Sequence, residues 1–546
     1  MMNKHRLLTA ILALVLMFTL LSGCESQKHI LPEDTSPAVS DVSFTAVTYP
    51  EEAVKTLSGR NISKSKFLSR AKNGNYECNA GYEGSGIVIS PYFEASVSGT
   101  AVPVYGTLVY VGETGRGAIH SYSMIDVDNK QFSLSIELTI KGFIPLKAVI
   151  LPERFGITPE LKGRKATAVI TSCGAYTFLF NDNDQQHAYT IFVREKADED
   201  AEINHYRELY GENNIIVYEP GVHFADYMSV PTDNFTIYLK SGALLIANHN
   251  YDIMSDDDRA SFSESGAVFG TRYAFISADG ANNIRIAGRG TIDLSQLDWH
   301  ERNGMVFTRC NDLFIEGITV VNCPEWSVVQ YLCNNVRIDG VAVFGYKTNS
   351  DGFAVCNSRN VTVSNCFARS GDDLFEVKTL GGDDTAIAHN ITFENCVAWN
   401  GKSRCFGITG EVNKPISDVT FRNCSIIYRD AVWDNNRIGG LVIIAEEGQA
   451  DIRNVTFENI EIYRDNGRPI NVDIYGDGLS NCVIEDVVFR NITYSAKMQM
   501  QLNSASGSGN KISAVFENIT ANGITLNKQN ISKYLLSDMF CFYTLI

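Results

Sequence analysis

The chain of 546 residues has little positive charge: 46 Lys and Arg face 63 Asp and Glu, a formal net charge of −17 at pH 7. Nucleic-acid-binding proteins need basic stripes, so this balance argues against a nucleic-acid partner. No C-x-x-C pair occurs among the 13 cysteines, which removes the usual zinc signature. Beyond the N-terminus, no apolar run is long enough to span a membrane. We expect a monomer that uses no metal and no other cofactor.

The one long apolar run, residues 7–21, follows Lys4 and Arg6 and ends in Leu-Ser-Gly-Cys at residues 21–24. A basic start and a short apolar run are typical of a secretory signal peptide, which we assign to residues 1–23. The four residues resemble the bacterial lipoprotein processing box, which implies that Cys24 is lipidated; cleavage elsewhere as an ordinary signal is the alternative. Removing residues 1–23 takes the net charge to −17 − 2 = −19, because Lys4 and Arg6 are lost. We expect an exported lipoprotein at the bacterial cell surface or outer envelope, held to the membrane only by its lipid.

Residues 24–41 are polar and contain proline, which is typical of a tether. Residues 42–200 then show short alternating apolar and polar runs, such as 106–111, 132–140 and 166–171. Alternation of period two, interrupted by Gly, Pro and Asn, predicts an antiparallel β-sandwich. Residues 197–210 are the one clear helical candidate, interpreted as a linker.

The pattern changes near residue 214, and a strand-like repeat occupies the remainder of the chain. Each repeat has the form Asn or Asp, apolar, any, apolar, any, Gly or Asn, apolar, and successive repeats begin at Asn283, Asp312, Asn335, Asn360, Asn390, Asp418, Asn454, Asp486 and Ala514. A short repeat with strand character indicates a solenoid whose coils share one core. We therefore predict an all-β protein, with a right-handed, single-stranded parallel β-helix over residues 201–546.

Two registers of the repeat have structural interpretations. Asparagines recur in one register, at Asn365, Asn395, Asn423, Asn459, Asn491 and Asn518. Asn tolerates the left-handed conformation and can bond its counterpart one coil away, so we predict an internal asparagine ladder. Cysteines fill the next register at Cys366, Cys396 and Cys424, where other coils have aliphatic residues. Export permits disulfides, but this substitution favours buried thiols.

Three carboxylates stand out between residues 347 and 379: Asp351, and the adjacent pair Asp372 and Asp373. A strand-like run separates them, which places the two acidic stretches on neighbouring coils about 4.8 Å apart. Like charges that close drive their pKa values apart, so that one group stays protonated while another is ionised. Hydrolysis of a glycosidic bond needs such an acid and base.

Counting from the start of each repeat places further residues at equivalent positions on the neighbouring coils, beside this acidic centre. They are Trp326, Arg404, Trp433 and Arg437. Sugar rings stack on tryptophan while charged groups bond hydroxyls, so these four are candidate substrate-binding residues.

The sequence Asn-Ser-Asp-Gly, then Gly-Asp-Asp about twenty residues later, then Lys378 resembles the active-site signature of glycoside hydrolase family 28, the polygalacturonases, and that of the related family 49 dextranases and isopullulanases. The N-terminal sandwich fits family 49 best. The resemblance implies a secreted glycosidase that cleaves a polysaccharide or oligosaccharide, with Lys378 in the substrate site. It also implies that Asp372 is the general acid and that Asp351 and Asp373 activate water from the opposite side, inverting the anomeric centre. Inversion needs carboxyl groups roughly 6.5–9.5 Å apart.

The chain departs from family 28 at two places. Residues 401–410 lack the histidine of the family's Gly-His-Gly, and residues 436–439 keep the arginine but lose the lysine of its Arg-Ile-Lys. That lysine helps hold a uronate carboxylate, so a neutral glucan or another branched glycan becomes an alternative to galacturonan. A polysaccharide lyase on the same fold and a non-catalytic glycan-binding β-helix also stay open.

Overall fold

The computed structural model describes residues 43–54, 68–70, 76–78, 85–112, 116–181, 185, 187–248, 274–297, 301–381, 386–434, 437–476, 478–505 and 509–546. The predicted signal peptide, the tether and Cys24 lie outside these residues. Within them, no helix has the length and apolar character needed to cross a membrane.

The N-terminal part of the described chain is a β-sandwich, as predicted. Its larger sheet, in spatial order, comprises Ala148–Leu151, Gly174–Phe180, Ala188–Glu195, Arg116–Val127, Tyr105–Val111 and Val88–Ile89, with Phe44–Ala46 also pairing with Arg116–Val127. Its smaller sheet comprises Glu160–Lys162, Lys165–Ile170, Leu134–Ile140, Phe93–Val97 and Thr100–Val102. Strand pairing is antiparallel, except that Ala188–Glu195 and Arg116–Val127 run parallel. A separate hairpin pairs Leu68–Arg70 with Tyr76–Cys78.

The larger sheet of the sandwich is covered on both faces. On one face it meets the smaller sheet, where Phe93 stacks on Phe180 with ring centroids 5.6 Å apart. On the other face Tyr122 stacks on Phe344 of the β-helix at 5.4 Å, within a continuous apolar cluster that contains residues of both parts. The sandwich therefore packs directly against the β-helix through an apolar interface.

The single α-helix among the described residues, Glu199–Tyr210, joins the two parts, as predicted for residues 197–210. Asp198 caps it by accepting the amide of Ala201 at 3.1 Å, a favoured N-cap interaction. Tyr238 of the β-helix donates to Glu202 at 2.6 Å, so the helix is attached to the first coils. The predicted domain boundary at residue 200 falls inside this helix.

The β-helix consists of two long sheets. One contains Met228–Ser229, Ala274–Asp279, Asn303–Thr308, Val328–Tyr331, Phe353–Cys356, Phe375–Thr379, Phe406–Val412, Leu441–Glu447, Ile470–Ile474, Met500–Asn503 and Leu535–Ser537. The other contains Ile215–Tyr218, Gly221–Ala225, Phe235–Leu239, Ala243–Ala247, Asn282–Gly288, Thr291–Asp293, Asn311–Glu316, Thr319–Val321, Asn334–Asp339, Ala342–Phe344, Arg359–Ser364, Phe367–Ser370, Ala388–Glu394, Val397–Asn400, Ile416–Arg422, Ser425–Arg429, Asp451–Asp465, Val483–Ala496, Lys511–Ala521, Ile524–Thr525 and Cys541–Leu545. We call the first the cleft sheet, because the candidate site lies along it.

Neighbouring coils pair in parallel and in the predicted register. Val361 pairs with Ile391, so the repeats that begin at Asn360 and Asn390 occupy adjacent coils. Alternate side chains of each strand point into one shared core, where Phe393, Phe421 and Phe457 stack with centroids 4.8 Å apart. The predicted parallel β-helix is therefore confirmed.

The predicted asparagine ladder exists, but its predicted internal position is wrong. Asn459 donates to Asn423 at 3.0 Å and Asn491 donates to Asn459 at 2.8 Å, with φ between 53° and 55° at the three residues. Their side chains lie at the outer corner of the coil, where Asn459 and Asn491 are exposed to solvent. At this corner the asparagine adopts the left-handed conformation and turns the chain. Its own side chain then points outward, and the side chain of the following residue points inward.

The inward residues of this register include Cys366, Cys396 and Cys424. All three are buried and are free thiols. The Sγ of Cys396 donates to the carbonyl of Glu394 at 3.3 Å, and that of Cys424 donates to Arg422 at 3.3 Å. The prediction of buried thiols in place of aliphatic residues is confirmed.

Candidate active site

The three predicted aspartates meet at the start of two paired strands of the cleft sheet. Asp351 lies two residues before Phe353, and Asp373 lies two residues before Phe375, and these phenylalanines pair directly. The amide of Gly352 donates to the carbonyl of Asp373 at 2.8 Å. Asp351 and Asp373 therefore occupy equivalent positions on adjacent coils, and Asp372 lies one residue earlier.

Asp373 is buried and bound by two donors. Ser403 Oγ donates to its Oδ1 at 2.9 Å, and Arg404 Nη1 contacts its Oδ2 at 2.8 Å. Burial alone would raise the pKa of Asp373, but the charges of Arg404 and Lys378 and these hydrogen bonds outweigh burial and lower it. Asp373 is therefore held as a carboxylate.

Asp372 is more open to the cleft, with its side chain 16% exposed. The backbone amides of Asn349 and Asp373 each donate to its carboxylate at 3.1 Å. Lys402 Nζ lies 3.9 Å from its Oδ2. Burial and then the negative charge of Asp373 raise the pKa of Asp372. This carboxyl group therefore holds its proton more tightly than its neighbour does.

Asp351 has a buried acidic neighbour that sequence reasoning missed, Glu376. Burial and then the charges of Glu376 and Asp372 raise the pKa of Asp351 well above its ordinary value. Burial raises the pKa of Glu376 to about 8, against the lowering effects of Lys378 and of a 2.6 Å hydrogen bond from Thr409. Glu376 therefore keeps its proton at neutral pH, and Asp351 holds its proton more tightly than an ordinary aspartate does.

Lys378 is the cation at the centre of this cluster. Its ammonium lies 3.1 Å from Glu376, 3.4 Å from Glu411 and 3.7 Å from Asp351, and its side chain is 5% exposed. The ring of Trp326 covers it, with Nζ 4.0 Å from the ring centroid, a favourable cation–π distance. Its geometry favours a role in positioning carboxylates over direct contact with a sugar.

Oxygens of Asp351, Asp373 and Glu376 lie within 4.8 Å of one another, as the ligands of a metal ion would. Hard cations favour such carboxylate clusters. The Lys378 ammonium, 3.1 Å from Glu376, already supplies positive charge to this cluster. The donor set therefore fits an internal lysine better than a resident cation.

Arg404 and Arg437 share a second acidic partner, Glu446. Arg404 Nη2 contacts one oxygen of Glu446, and Arg437 Nη2 contacts the other. Both guanidinium groups lie over Trp433, 5.2 and 4.7 Å from its ring centroid, and Arg437 also lies 5.1 Å from Tyr475. Trp433 and Tyr475 are 37% and 39% exposed. This side of the site therefore combines paired charges with two exposed aromatic rings.

Arg404 itself is buried, with its side chain 5% exposed. Its Nε donates to the carbonyl of Arg437 at 2.7 Å, and its two terminal nitrogens bind Asp373 and Glu446. All three nitrogens of its guanidinium are therefore engaged within the protein. This favours a positioning role for Arg404, whereas Arg437 and Trp433 remain candidates for contact with a sugar.

The loop before Arg404 contains two residues that sequence reasoning missed. Lys402 lies near Asp372, at the point where the family 28 pattern has its histidine region. Asn400 accepts the amides of Lys402 and Ser403 at 2.7 Å each, and its side chain donates to the carbonyl of Asp372 at 2.6 Å. Asn400 therefore connects this loop to the Asp372–Asp373 pair.

The sandwich also reaches the site, although nothing in its sequence indicated this. Tyr110, on strand Tyr105–Val111, packs closely against Gly371 and Gly401. A Cβ atom added to Gly371 would lie 2.6 Å from an atom of Tyr110, and one added to Gly401 would lie 2.7 Å from another, so neither glycine has room for a side chain. Burial and then the charges of Asp372 and Asp430 raise the pKa of Tyr110. The sandwich thus packs against the backbone next to Asp372 and Asp373.

The chain is similar to known proteins in sequence and in fold. The chain is 24% identical over 298 residues to an exopolygalacturonase of Zea mays, an alignment covering 50% of this chain and 67% of the relative. It is 25% identical over 225 residues to a probable polygalacturonase of Vitis vinifera, covering 37% and 44%. Its fold is similar to that of Dex49A from Penicillium minioluteum, with a TM-score of 0.60 and 12% identity over 85% of this chain and 96% of that one.

A protein-family model also matches the chain. The family model for glycosyl hydrolases family 28 matches residues 254–537, which include the three candidate catalytic aspartates and both arginines. The match spans more than half of the 546 residues. The resemblance stated from the aspartate motifs is thereby confirmed, and the chain belongs to family 28 of the glycosyl hydrolases.

Proposed function

We propose that the protein hydrolyses O-glycosidic bonds of a polysaccharide with inversion of the anomeric centre. The observation that carries the proposal is the contrast between two adjacent carboxyl groups. The environment of Asp372 raises its pKa, whereas that of Asp373 lowers its pKa. Such a separated pair supplies an acid and a base at one site.

Asp372 serves as the general acid in this proposal. It is the more exposed of the two, and the two backbone amides that hold it leave its position fixed. A protonated carboxyl there can donate to the departing glycosidic oxygen, which needs a proton because an alkoxide is a poor leaving group.

Asp373 serves as the general base that takes a proton from the attacking water. Arg404 and Ser403 keep its carboxylate ionised and fixed. Asp351 helps to hold and orient that water, and burial together with the charges of Glu376 and Asp372 raises its pKa. Trp433 and Arg437 bind the sugar, and Lys378 and Arg404 position the carboxylates.

The replacement Asp372→Asn tests the proposal, with reducing-sugar release measured across a panel of polysaccharides. We expect turnover on the natural glycan to fall by about 10²–10⁴-fold, since the amide cannot donate the required proton. Glycan binding and the unfolding midpoint should change little. Asp451→Asn, a surface replacement on the other sheet, should retain full activity.

Four results would contradict this assignment. Near wild-type turnover by Asp372→Asn would remove the acid role. A product with retained anomeric configuration in NMR would exclude inversion, and an unsaturated product would indicate a lyase. Wild-type protein that binds a glycan but releases no sugar from any would indicate a non-catalytic binding protein.

The proposal includes export and attachment to the membrane through Cys24. The support is the N-terminal sequence alone: a basic start, an apolar run and Leu-Ser-Gly-Cys. Cys24→Ala should release the protein from the membrane fraction of the producing cell. An unchanged distribution between membrane and soluble fractions would refute the lipid anchor.

A further inference from the structure

The exposed aromatic side of the site contains an internal carboxylate that sequence reasoning did not anticipate. Glu446 lies near the end of strand Leu441–Glu447, and its side chain is 14% exposed. One of its oxygens contacts Arg404 and the other contacts Arg437. Arginine is the residue best suited to bind a carboxylate through two nitrogens, so these two would otherwise form a strong site for an acidic ligand.

We propose that Glu446 occupies the place that the carboxylate of an acidic sugar would take, so that the subsite beside Trp433 accepts a neutral, hydroxyl-rich sugar. This inference rests on the proposed function, because it assumes that the cleft binds a glycan. It adds the class of sugar and the residue that determines it.

The surroundings of Glu446 support a neutral ligand. Trp433 and Tyr475 present exposed rings, suited to stacking on the apolar face of a sugar. Arg437, between them, keeps contact with both rings while its charge is satisfied by Glu446. Tyr475 donates its hydroxyl to Asp434 at 3.1 Å, which places another carboxylate at this edge. An acidic sugar there would meet neutralised arginines and additional negative charge.

The charge balance of the whole site points the same way. Four cationic side chains face six carboxyl groups, namely Lys378, Lys402, Arg404 and Arg437 against Asp351, Asp372, Asp373, Glu376, Glu411 and Glu446. Even with Asp351, Asp372 and Glu376 all counted as protonated, the three remaining carboxylates and that of Asp434 beside Tyr475 balance the four cations, so no net positive charge remains. A polyanionic chain of uronates would gain little from such a cleft, because like charges repel and paired cations are already occupied.

The test is binding of polygalacturonate by Glu446→Gln at low ionic strength. Glutamine keeps the shape of the side chain but removes the charge, which frees Arg437 and Arg404 for an external carboxylate. We expect the replacement to tighten binding of polygalacturonate by at least about tenfold over the wild type. The gained binding should weaken as salt is added, because it depends on charge.

Two further variants separate this effect from net charge and from misfolding. Glu447→Gln makes the same change in net charge at the adjacent, exposed residue of the same strand, and should leave polygalacturonate binding at the wild-type level. Adding Arg437→Met to Glu446→Gln should remove the gain, because the guanidinium that binds the external carboxylate is lost. A gain that appears in the first variant and disappears in the double variant cannot come from partial unfolding.

The inference is overturned if Glu446→Gln binds polygalacturonate no more tightly than the wild type, or if Glu447→Gln gives the same gain. It is also overturned if the wild type already binds polygalacturonate more tightly than neutral polysaccharides. Because the measurement is of binding, its outcome is independent of turnover. Failure of the catalytic proposal would instead be seen as no sugar release by the wild type, or as near wild-type sugar release by Asp372→Asn. Neither outcome would change the binding result.

Discussion

The buried carboxyl of Glu376 makes the stability of the protein depend on pH in a defined direction. Its pKa rises from 4.5 to about 8 in the folded protein, because the side chain is wholly buried. Between these pH values the folded state keeps a proton that the unfolded state releases. The free energy of unfolding therefore decreases as pH rises through this window. The contribution of Glu376 to stability is complete only below about pH 4.5.

The magnitude follows from one proton. Each pH unit within the window costs up to about 1.4 kcal/mol, which over the full range amounts to a loss on the order of 5 kcal/mol. In the Glu376→Gln variant this side chain cannot ionise. The pH dependence of the free energy of unfolding should therefore lose the contribution of about one proton. Asp351, whose pKa is also raised, contributes a slope of the same sign that the variant retains.

Chemical denaturation at several values between about pH 5 and pH 8 measures this slope. Thr409→Val is the matched control: it keeps the carboxyl of Glu376 but removes the hydrogen bond that lowers its pKa. That variant should keep the wild-type slope and extend it to higher pH. The reasoning is refuted if Glu376→Gln shows the full wild-type slope, or if Thr409→Val is flattened as strongly.

Three other replacements test the site and the coil. Asp373→Asn should lower turnover by about 10²–10⁴-fold on a natural glycan and equally on an activated aryl glycoside, since both need the attacking water; a smaller effect on the aryl substrate would contradict the base role. Lys378→Met leaves the acidic cluster of Asp351, Glu376 and Glu411 without its cation and should lower the free energy of unfolding by about 3–5 kcal/mol, checked by denaturation at neutral pH. Asn459→Ala should cost about 1–2 kcal/mol more than Asn459→Gly, because φ at this residue is 54°; equal unfolding midpoints would refute that account.

Much of the fold was predictable because it repeats. An outward corner at Asn360 and another at Asn390 have the same local conformation, with φ of 55° at each, and the apolar residues that follow must share one core. The spacing between them therefore reveals the coil without knowledge of any distant contact. The same logic placed Asp351 and Asp373 together, since both precede paired strands by two residues.

The partners of those aspartates could not be predicted in this way. Glu376 and Glu446 occupy ordinary outward-facing positions in their strands, with no distinguishing pattern around them. Glu446 reaches Arg404 and Arg437 only because coils joined by loops of unequal length pair with each other. Tyr110 comes from the other part of the chain, so no spacing in the repeat refers to it.

The amino-acid sequence by itself determined the solenoid, the order of its two parts and the three catalytic candidates, because these depend on local turn chemistry and on a regular alternation. The tertiary structure alone decided the state of each charge. Desolvation and neighbouring groups lower the pKa of Asp373 while raising that of Asp372, one residue away. It also decided that Lys378 and Arg404 are enclosed by carboxylates, because burial is a property of the packed coils and not of any residue type.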